Sequence, residues 1–190
     1  MTPTRSFTRR ALIATGAAAL AAPAIAQTTQ FNYNVPQENM PTLVQLDRGW
    51  AAGEIQVVPS EFALYWTLPE GRAIKYIVGI GRPGLYESGT FRVGAKKEWP
   101  RWTPTAAMIE REPEIYKQHE DGMEGGPENP LGSRALYLFD GGRDTFLRIH
   151  GTPVPWSMRT RNSNGCVRMV NAHVADLYQR VPRGARVVLG

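Results

Sequence analysis

The sequence predicts a mainly β domain with one late helix. Glycine (19) and proline (15) make up nearly a fifth of the 190 residues, which favours short strands joined by turns. Short runs rich in β-branched and aromatic residues recur along the chain, whereas clear helical periodicity is confined to a segment near residue 175. With 42% hydrophobic and 21% charged residues, the composition is that of a globular protein with one core.

The first 26 residues predict a secretory signal peptide. Arg5, Arg9 and Arg10 precede an apolar run over residues 11–22, and residues 24–26 read Ala-Ile-Ala, a small-x-small cleavage pattern. The paired arginines resemble a twin-arginine signal, and an ordinary secretory signal is the alternative. Because the run is shorter than the ~20 residues that span a bilayer, we expect no permanent membrane span and a periplasmic location.

Cleavage changes the charge balance. The signal carries three arginines and no acids, so the formal charge falls from +5 to +2, with 19 basic and 17 acidic residues left. No basic cluster interleaved with aromatic residues follows, so we expect no nucleic-acid partner.

The remaining elements follow from local patterns. Residues 27–53 are polar and aperiodic, which predicts an N-terminal extension laid over the surface of a domain at 54–190. Strands are predicted at Phe62–Thr67 and Ala73–Ile80, joined as a hairpin by Leu-Pro-Glu-Gly-Arg. Further strands are predicted at Gly89–Val93, at Ala135–Phe139 and Thr145–Ile149 around an Asp-Gly-Gly-Arg-Asp turn, and at Ala185–Leu189.

Two segments lie outside this strand pattern. The tract Ala95–Ser133 predicts a long irregular loop or lid, with a short helix inside 106–120 that Pro113 interrupts. A disordered insertion is the alternative, and the tract's tryptophans argue against it because they need burial. Near the C-terminus, Asn171 is expected to cap a helix whose apolar face is Val174, Leu177, Tyr178 and Val181.

Cys166 is the only cysteine, which is unusual for an exported protein. It can be buried and inert, joined to another chain, or functional. Ser-Asn-Gly precedes it, and Gly165 permits a tight turn whose backbone amides converge on one point, as a developing oxyanion requires. The pattern favours a nucleophile on a turn.

A nucleophilic thiol with a pKa near 8.5 needs a base. Of the three histidines, His150 ends an apolar strand, and 15 residues separate it from Cys166. His119 is expected to be solvated, and His173 is expected to be a surface or capping residue. The spacing of Cys and His matches none of the paired zinc-ligand patterns, so we expect neither a metal nor another cofactor.

The segments His-Gly-Thr (150–152) and Ser-Asn-Gly-Cys-Val-Arg-Met (163–169) together resemble the L,D-transpeptidase catalytic domain family, the YkuD-like fold, in which a histidine precedes Ser-x-Gly-Cys. The resemblance covers about residues 54–190 and implies a β-sandwich of mixed sheets with a short C-terminal helix. It also implies a cell-wall enzyme acting on peptidoglycan stem peptides. Asn164 departs from the family, since many members have histidine there.

The resemblance implies a role for each matching residue. Cys166 would attack the carbonyl between the third and fourth residues of a donor stem peptide and expel D-alanine, and His150 would take the thiol proton. The Gly151 carbonyl would orient the imidazole, and the amides of Gly165 and Cys166 would bind the oxyanion. The supporting residues are Ser163 and Asn164 in the turn and Arg168, which steadies the loop or meets a substrate carboxylate.

Several alternatives stay open. Water in place of the acceptor amine gives an L,D-carboxypeptidase, and a lipoprotein or other outer-membrane protein as acceptor gives covalent anchoring to the wall. A papain-like peptidase is disfavoured because it places Cys before His in the chain. A peptidoglycan-binding module without catalysis would not need the thiol.

Overall fold

Strands form most of the regular structure. A computed structural model of the chain describes residues 34–190, and the predicted signal, residues 1–26, lies outside them. The strands within the described part are β1 (Thr42–Gln45), β2 (Ile55–Val58), β3 (Ala63–Leu68), β4 (Arg72–Ile77), β5 (Ile80–Gly81), β6 (Gly89–Glu98), β7 (Arg134–Asp140), β8 (Arg143–His150), β9 (Arg161–Ser163), β10 (Val167–Arg168) and β11 (Arg186–Leu189). The helices there are α1 (Ala106–Arg111), α2 (Pro113–Tyr116) and α3 (Asn171–Arg180), with short 3-10 turns at Gln37–Asn39, Pro59–Glu61, Lys117–His119 and Pro155–Ser157.

Nine of these strands form one mixed sheet in the order β1-β4-β3-β2-β11-β6-β7-β8-β10, and β5 and β9 pair separately. Strand β11 is parallel to β2, and β10 is parallel to β8, while the other pairs of the large sheet are antiparallel. Gly79, just after β4, forms an antiparallel bridge with Arg168 in β10. The sheet therefore folds back until its β4 and β10 regions meet, and the predicted mainly β fold with mixed sheets is confirmed.

Both predicted hairpins form. Strands β3 and β4 pair across a turn in which Glu70 and Gly71 have positive φ angles of 62° and 65°. Strands β7 and β8 pair across Gly141 and Gly142, also with positive φ. Both turns contain glycine, which tolerates the left-handed region, and this is why the two hairpins could be predicted from the sequence.

The tract predicted as irregular from Ala95 is partly regular. Strand β6 continues to Glu98 in pairing with β7, so the predicted end at Val93 is wrong. Beyond it, Pro113 separates α1 from α2 as the first residue of the second helix, which confirms the interruption. Pairing with β7 stabilises the charged end of β6 as a strand, and the composition of that end did not indicate one.

The main core lies between the folded sheet and α3. It includes the fully buried side chains of Val174, Leu177 and Val181, which confirms the predicted apolar helix face. The prediction for His173 is wrong: only 4% of it is exposed, and its ring packs 6.5 Å from that of Tyr76. A helix residue one position from the apolar stripe is covered here because Tyr76 reaches across from β4.

The N-terminal extension contributes to the sheet. Strand β1, within the predicted extension at 27–53, pairs with β4 and forms one edge of the large sheet. Trp50 of the same segment packs on Tyr65 of β3, with ring centroids 5.5 Å apart. Within residues 34–190, no helix is long and apolar enough to cross a membrane.

Candidate active site

His150 ends β8, and Cys166 directly precedes β10, the strand that pairs with β8 in parallel. Val167 is opposite Ile149 and Arg168 is opposite His150 in the β10–β8 ladder, so Cys166 lies one residue before its first rung. Alternate residues of a strand face the same side. Cys166 and Arg168 therefore share a face with His150 and with Arg148, a residue that the sequence analysis did not select.

The turn before β10 is closed by Ser163, whose hydroxyl donates to the Cys166 carbonyl at 2.5 Å. The Ser163 carbonyl in turn accepts from the Arg82 backbone N–H at 2.9 Å. Gly165 has φ = 115°, and a Cβ there would lie 2.8 Å from the Leu85 carbonyl oxygen. Ser163 therefore holds the turn by a local hydrogen bond, and only glycine fits position 165 without strain.

His150 is held as a neutral imidazole. It is buried, and its Nδ1 lies 2.6 Å from the Gly151 carbonyl oxygen. Since a carbonyl only accepts, the Gly151 contact assigns the proton of the neutral ring to Nδ1 and makes Nε2 its basic nitrogen. Burial lowers the pKa of His150 to about 4, with the Gly151 and Leu131 carbonyls opposing the shift and the charges of Arg168 and Arg148 adding to it.

Asn171 fixes the backbone that orients this imidazole. Its Oδ1 accepts from the Ser133 N–H at 2.9 Å, and its Nδ2 donates to the Thr152 carbonyl at 3.1 Å. The expectation that Asn171 caps α3 is wrong, because Val170 is the N-cap residue and no side-chain cap forms. A Cβ on Gly151 would lie only 2.1 Å from Asn171 Oδ1, so glycine is also required there.

Cys166 is a half-buried thiol rather than a thiolate. Burial raises its pKa, while the Arg148 backbone N–H and the charges of Arg148 and Arg168 oppose that shift. The Sγ atom lies 3.8 Å from the Phe146 carbonyl oxygen, to which the thiol donates. With the histidine pKa lowered and the cysteine pKa raised, the resting pair at neutral pH is thiol and neutral imidazole.

Phe146 presents this carbonyl from a strained backbone. Its φ is 62°, in the left-handed region that bulky residues rarely adopt, and its ring is 68% exposed. The Phe146 N–H is held by Asp144 Oδ1 at 2.9 Å. The residue thus combines a carbonyl turned towards the nucleophile with an apolar ring at the rim of the site.

Two arginines provide positive charge beside the thiol. Arg148 pairs with Asp144 through two hydrogen bonds of 2.6 and 2.8 Å and lies 4.0 Å above the Tyr137 ring. Arg168 contacts Thr160 Oγ1 at 3.4 Å, and its buried Nε has no partner among the residues described. Arg168 is therefore the less neutralised of the two charges.

The side chain of Asn164 binds Arg82 and two residues of the tract that follows β6. Its Oδ1 accepts from Arg82 at 2.6 Å and from Arg111 at 2.8 Å, and its Nδ2 donates to the Tyr116 hydroxyl at 2.7 Å. The sequence analysis treated Asn164 as a turn residue and missed these partners. They are 48 to 82 positions distant in the chain, beyond the reach of local pattern.

Metal ligands do not gather at this site. In the part of the chain that the structure describes, His, Cys, Asp and Glu side chains form no group of three that could hold a metal ion.

Comparison with known proteins shows which family the chain belongs to. The family model of the L,D-transpeptidase catalytic domain matches residues 52–189. The chain belongs to this family. The probable L,D-transpeptidase YbiS of Escherichia coli strain K12 is 36% identical over 137 residues, which cover 70% of this chain and 43% of YbiS. The chain thus spans less than half the length of that relative.

Other family members cover more of the chain. The ORF 5 protein from the ATP synthase subunits region of Fuscovulum blasticum, named among the L,D-transpeptidases, is 32% identical over 199 aligned positions, covering 97% of this chain and 98% of that protein. L,D-transpeptidase 3 from Mycobacterium tuberculosis has the same fold, with a TM-score of 0.52 at 15% identity over 79% of this chain and 78% of its own.

A further crystal structure is more similar in sequence. It is described as a probable carnitine operon oxidoreductase from Brucella melitensis, with 45% identity and a TM-score of 0.56 over 82% of this chain and 96% of its own. The family assignment of this chain comes from the match at residues 52–189 and from the named L,D-transpeptidases.

Proposed function

We propose that this protein is a peptidoglycan L,D-transpeptidase that uses Cys166 as nucleophile. The observation that carries the proposal is the parallel pairing of β10 with β8, in which Cys166 directly precedes one strand and His150, bound to the Gly151 carbonyl, ends the other. Membership of the L,D-transpeptidase catalytic domain family supports the same reaction.

The geometry suggests how acylation proceeds. Sγ leaves the Phe146 carbonyl and attacks the donor peptide carbonyl while Nε2 of His150 takes the thiol proton, so no prior thiolate is needed. The tetrahedral oxyanion is stabilised by the Gly165 and Cys166 amides, which have no acceptor among the described residues, and by the charge of Arg168. When the carbon–nitrogen bond breaks, the proton on His150 passes to the departing D-alanine amine, leaving a thioester.

The second half-reaction reverses these roles. An amine of an acceptor stem peptide attacks the thioester, His150 takes a proton from that amine, and the Cys166 thiol is re-formed as the new amide appears. If water attacks instead, the product is a shortened stem peptide, as in an L,D-carboxypeptidase. A lipoprotein or outer-membrane protein amine would give wall anchoring by the same steps.

We also propose that the protein works in the periplasm. The basic start, the apolar run and the Ala-Ile-Ala pattern of residues 1–26 support export, and the paired arginines favour the twin-arginine route. A fractionation experiment with the full chain tests this location. Replacing Arg9 and Arg10 by lysine should retain the protein in the cytoplasm if the route is the twin-arginine one, and should leave export intact if the signal is an ordinary secretory one.

The reaction is tested with purified muropeptides and mass spectrometry. Wild-type protein should release D-alanine and form a new cross-link, whereas Cys166→Ala should do neither. D-alanine release without a cross-link would assign the carboxypeptidase reaction. Equal products from wild type and Cys166→Ala would show that the thiol is not the nucleophile.

A further inference from the structure

A polar cluster joins the turn of the nucleophile to the tract between β6 and β7. Arg82 binds Glu112 through two hydrogen bonds of 2.9 and 2.7 Å, and the same guanidinium donates to Asn164. Arg111 also donates to Asn164, which itself donates to Tyr116. We refer to these five residues, Arg82, Arg111, Glu112, Tyr116 and Asn164, as the clamp.

The clamp is well placed to hold helices α1 and α2. Arg111 ends α1, Glu112 lies between the helices and Tyr116 ends α2, so all three contacts fall on this short helical pair. Asn164 is two residues before Cys166, and the backbone N–H of Arg82 binds the Ser163 carbonyl within the same turn. The same turn therefore carries the thiol and binds the two helices.

Charge and burial both favour the closed clamp. The Glu112 side chain is 21% exposed and the Arg82 side chain 34% exposed, so their ion pair is partly removed from water. Hydrogen bonding from Arg82 lowers the pKa of Glu112, which keeps it ionised. The paired Arg–carboxylate geometry gives this contact direction as well as strength.

The tract is also attached on the other side of the site. A Cβ on Gly132 would lie 2.6 Å from the Gly151 carbonyl carbon, and the Ser133 N–H is bound by Asn171. Between these ends, Trp102 pairs with Met123 and packs on Tyr116, with ring centroids 6.3 Å apart. The tract thus spans the site from the cysteine turn to the histidine backbone.

We propose that Asn164 is a positioning residue that fastens α1 and α2 beside Cys166, so that this helical pair limits the size of the molecules that reach the thiol. In the proposed reaction, on which this consequence rests, a narrow entrance favours an extended, unbranched peptide end as acyl donor. The clamp itself is independent of that reaction and can be tested without turnover.

Because Cys166 is the only cysteine, thiol labelling reports on this one site. The test measures labelling rates with small N-methylmaleimide and with bulky fluorescein maleimide by mass spectrometry. Both reagents attack the same thiolate, so the ratio of bulky to small rates cancels any change in the thiol pKa. In Asn164→Ala this ratio should rise about fivefold, as expected when the hydrogen bonds holding a lid are lost.

Matched variants separate the clamp from general loosening. Asn164→Asp keeps oxygen acceptors for Arg82 and Arg111, so its ratio should stay close to wild type. Gln118→Ala lies on the same tract but binds only the Ile115 carbonyl, and it should also match wild type. If Asn164→Ala does not fold, Tyr116→Phe removes one clamp contact and should raise the ratio about twofold.

The outcomes are decisive for the clamp. A higher ratio in Asn164→Ala, with wild-type ratios in Asn164→Asp and Gln118→Ala, supports it. An unchanged ratio in Asn164→Ala, or an equal rise in Gln118→Ala, overturns it. Failure of the transpeptidase assay with the expected labelling ratios would remove the proposed reaction and leave the clamp intact.

Discussion

The pH dependence of stability tests whether His150 is held neutral. In the unfolded chain its imidazole has an ordinary pKa of 6.5, whereas in the folded protein burial lowers the pKa to about 4. The unfolded state then binds a proton more readily, so acid favours unfolding. The stabilisation is intact above pH 6.5 and is lost progressively as the pH falls towards 4.

The size of the effect follows from the two values. The full shift corresponds to about 3 kcal/mol below pH 4, at about 1.4 kcal/mol for each pKa unit. Between pH 7 and pH 5, linkage gives a loss of about 2 kcal/mol from this residue. His150→Gln has no charge to gain, so its free energy of unfolding should fall by about 2 kcal/mol less than that of wild type over the same range.

Urea unfolding followed by tryptophan fluorescence at both pH values provides the measurement. Gln118→Ala is the control, because Gln118 is an exposed residue of the Lys117–His119 turn without an ionisable group, and it should keep the wild-type pH dependence. If His150→Gln lost as much stability as wild type between pH 7 and pH 5, the buried imidazole would not be the neutral base that the mechanism requires.

Three further perturbations probe the site. The raised pKa of Cys166 predicts that the rate of its alkylation by iodoacetamide increases about tenfold for each pH unit between pH 7 and 9. A rate that reaches a plateau below pH 8 would show a resting thiolate. Gly165→Ala should lower acyl transfer at least about a hundredfold and should lower the free energy of unfolding by about 1–3 kcal/mol. The reason is that a φ of 115° and the nearby Leu85 carbonyl both oppose a Cβ at this position. Wild-type turnover in this variant would contradict the strain argument. Asn171→Ala should lower the free energy of unfolding in urea by about 2–4 kcal/mol, since it leaves the Ser133 N–H and the Thr152 carbonyl buried without partners. A loss below about 1 kcal/mol would mean that other groups replace the Asn171 side chain.

Local pattern predicted the elements whose stability is local. The hairpin turns at residues 69–71 and 141–142 contain residues that accept positive φ, and the strands beside them are rich in β-branched and aromatic side chains. The end of β6 was missed because Ala95–Glu98 reads as charged, and only pairing with β7 makes it a strand. Pairing partners distant in sequence override weak propensity.

The same distinction applies to the site. Cys166 and His150 could be selected from the sequence because glycine, thiol and strand-end imidazole each have a chemical reason to occur where they do. Arg148 lies two residues before His150 on the same face of β8, so strand alternation alone predicts its position near the site. The partners of Asn164 and the burial of His173 depend on chain segments about 50 to 100 residues distant. Local sequence pattern does not predict contacts at that separation.

The position of β11 has a consequence for how the two halves of the sheet are joined. Residues 186–189 form the fifth and central strand of the nine-stranded sheet, parallel to β2 and antiparallel to β6. Within the large sheet, β11 supplies the ladder between β1-β4-β3-β2 and β6-β7-β8-β10, which otherwise meet at the Gly79–Arg168 bridge. Truncation before Arg186 should therefore separate the block that contains Cys166 and His150 from the other block, and should leave two open sheet edges exposed to aggregation.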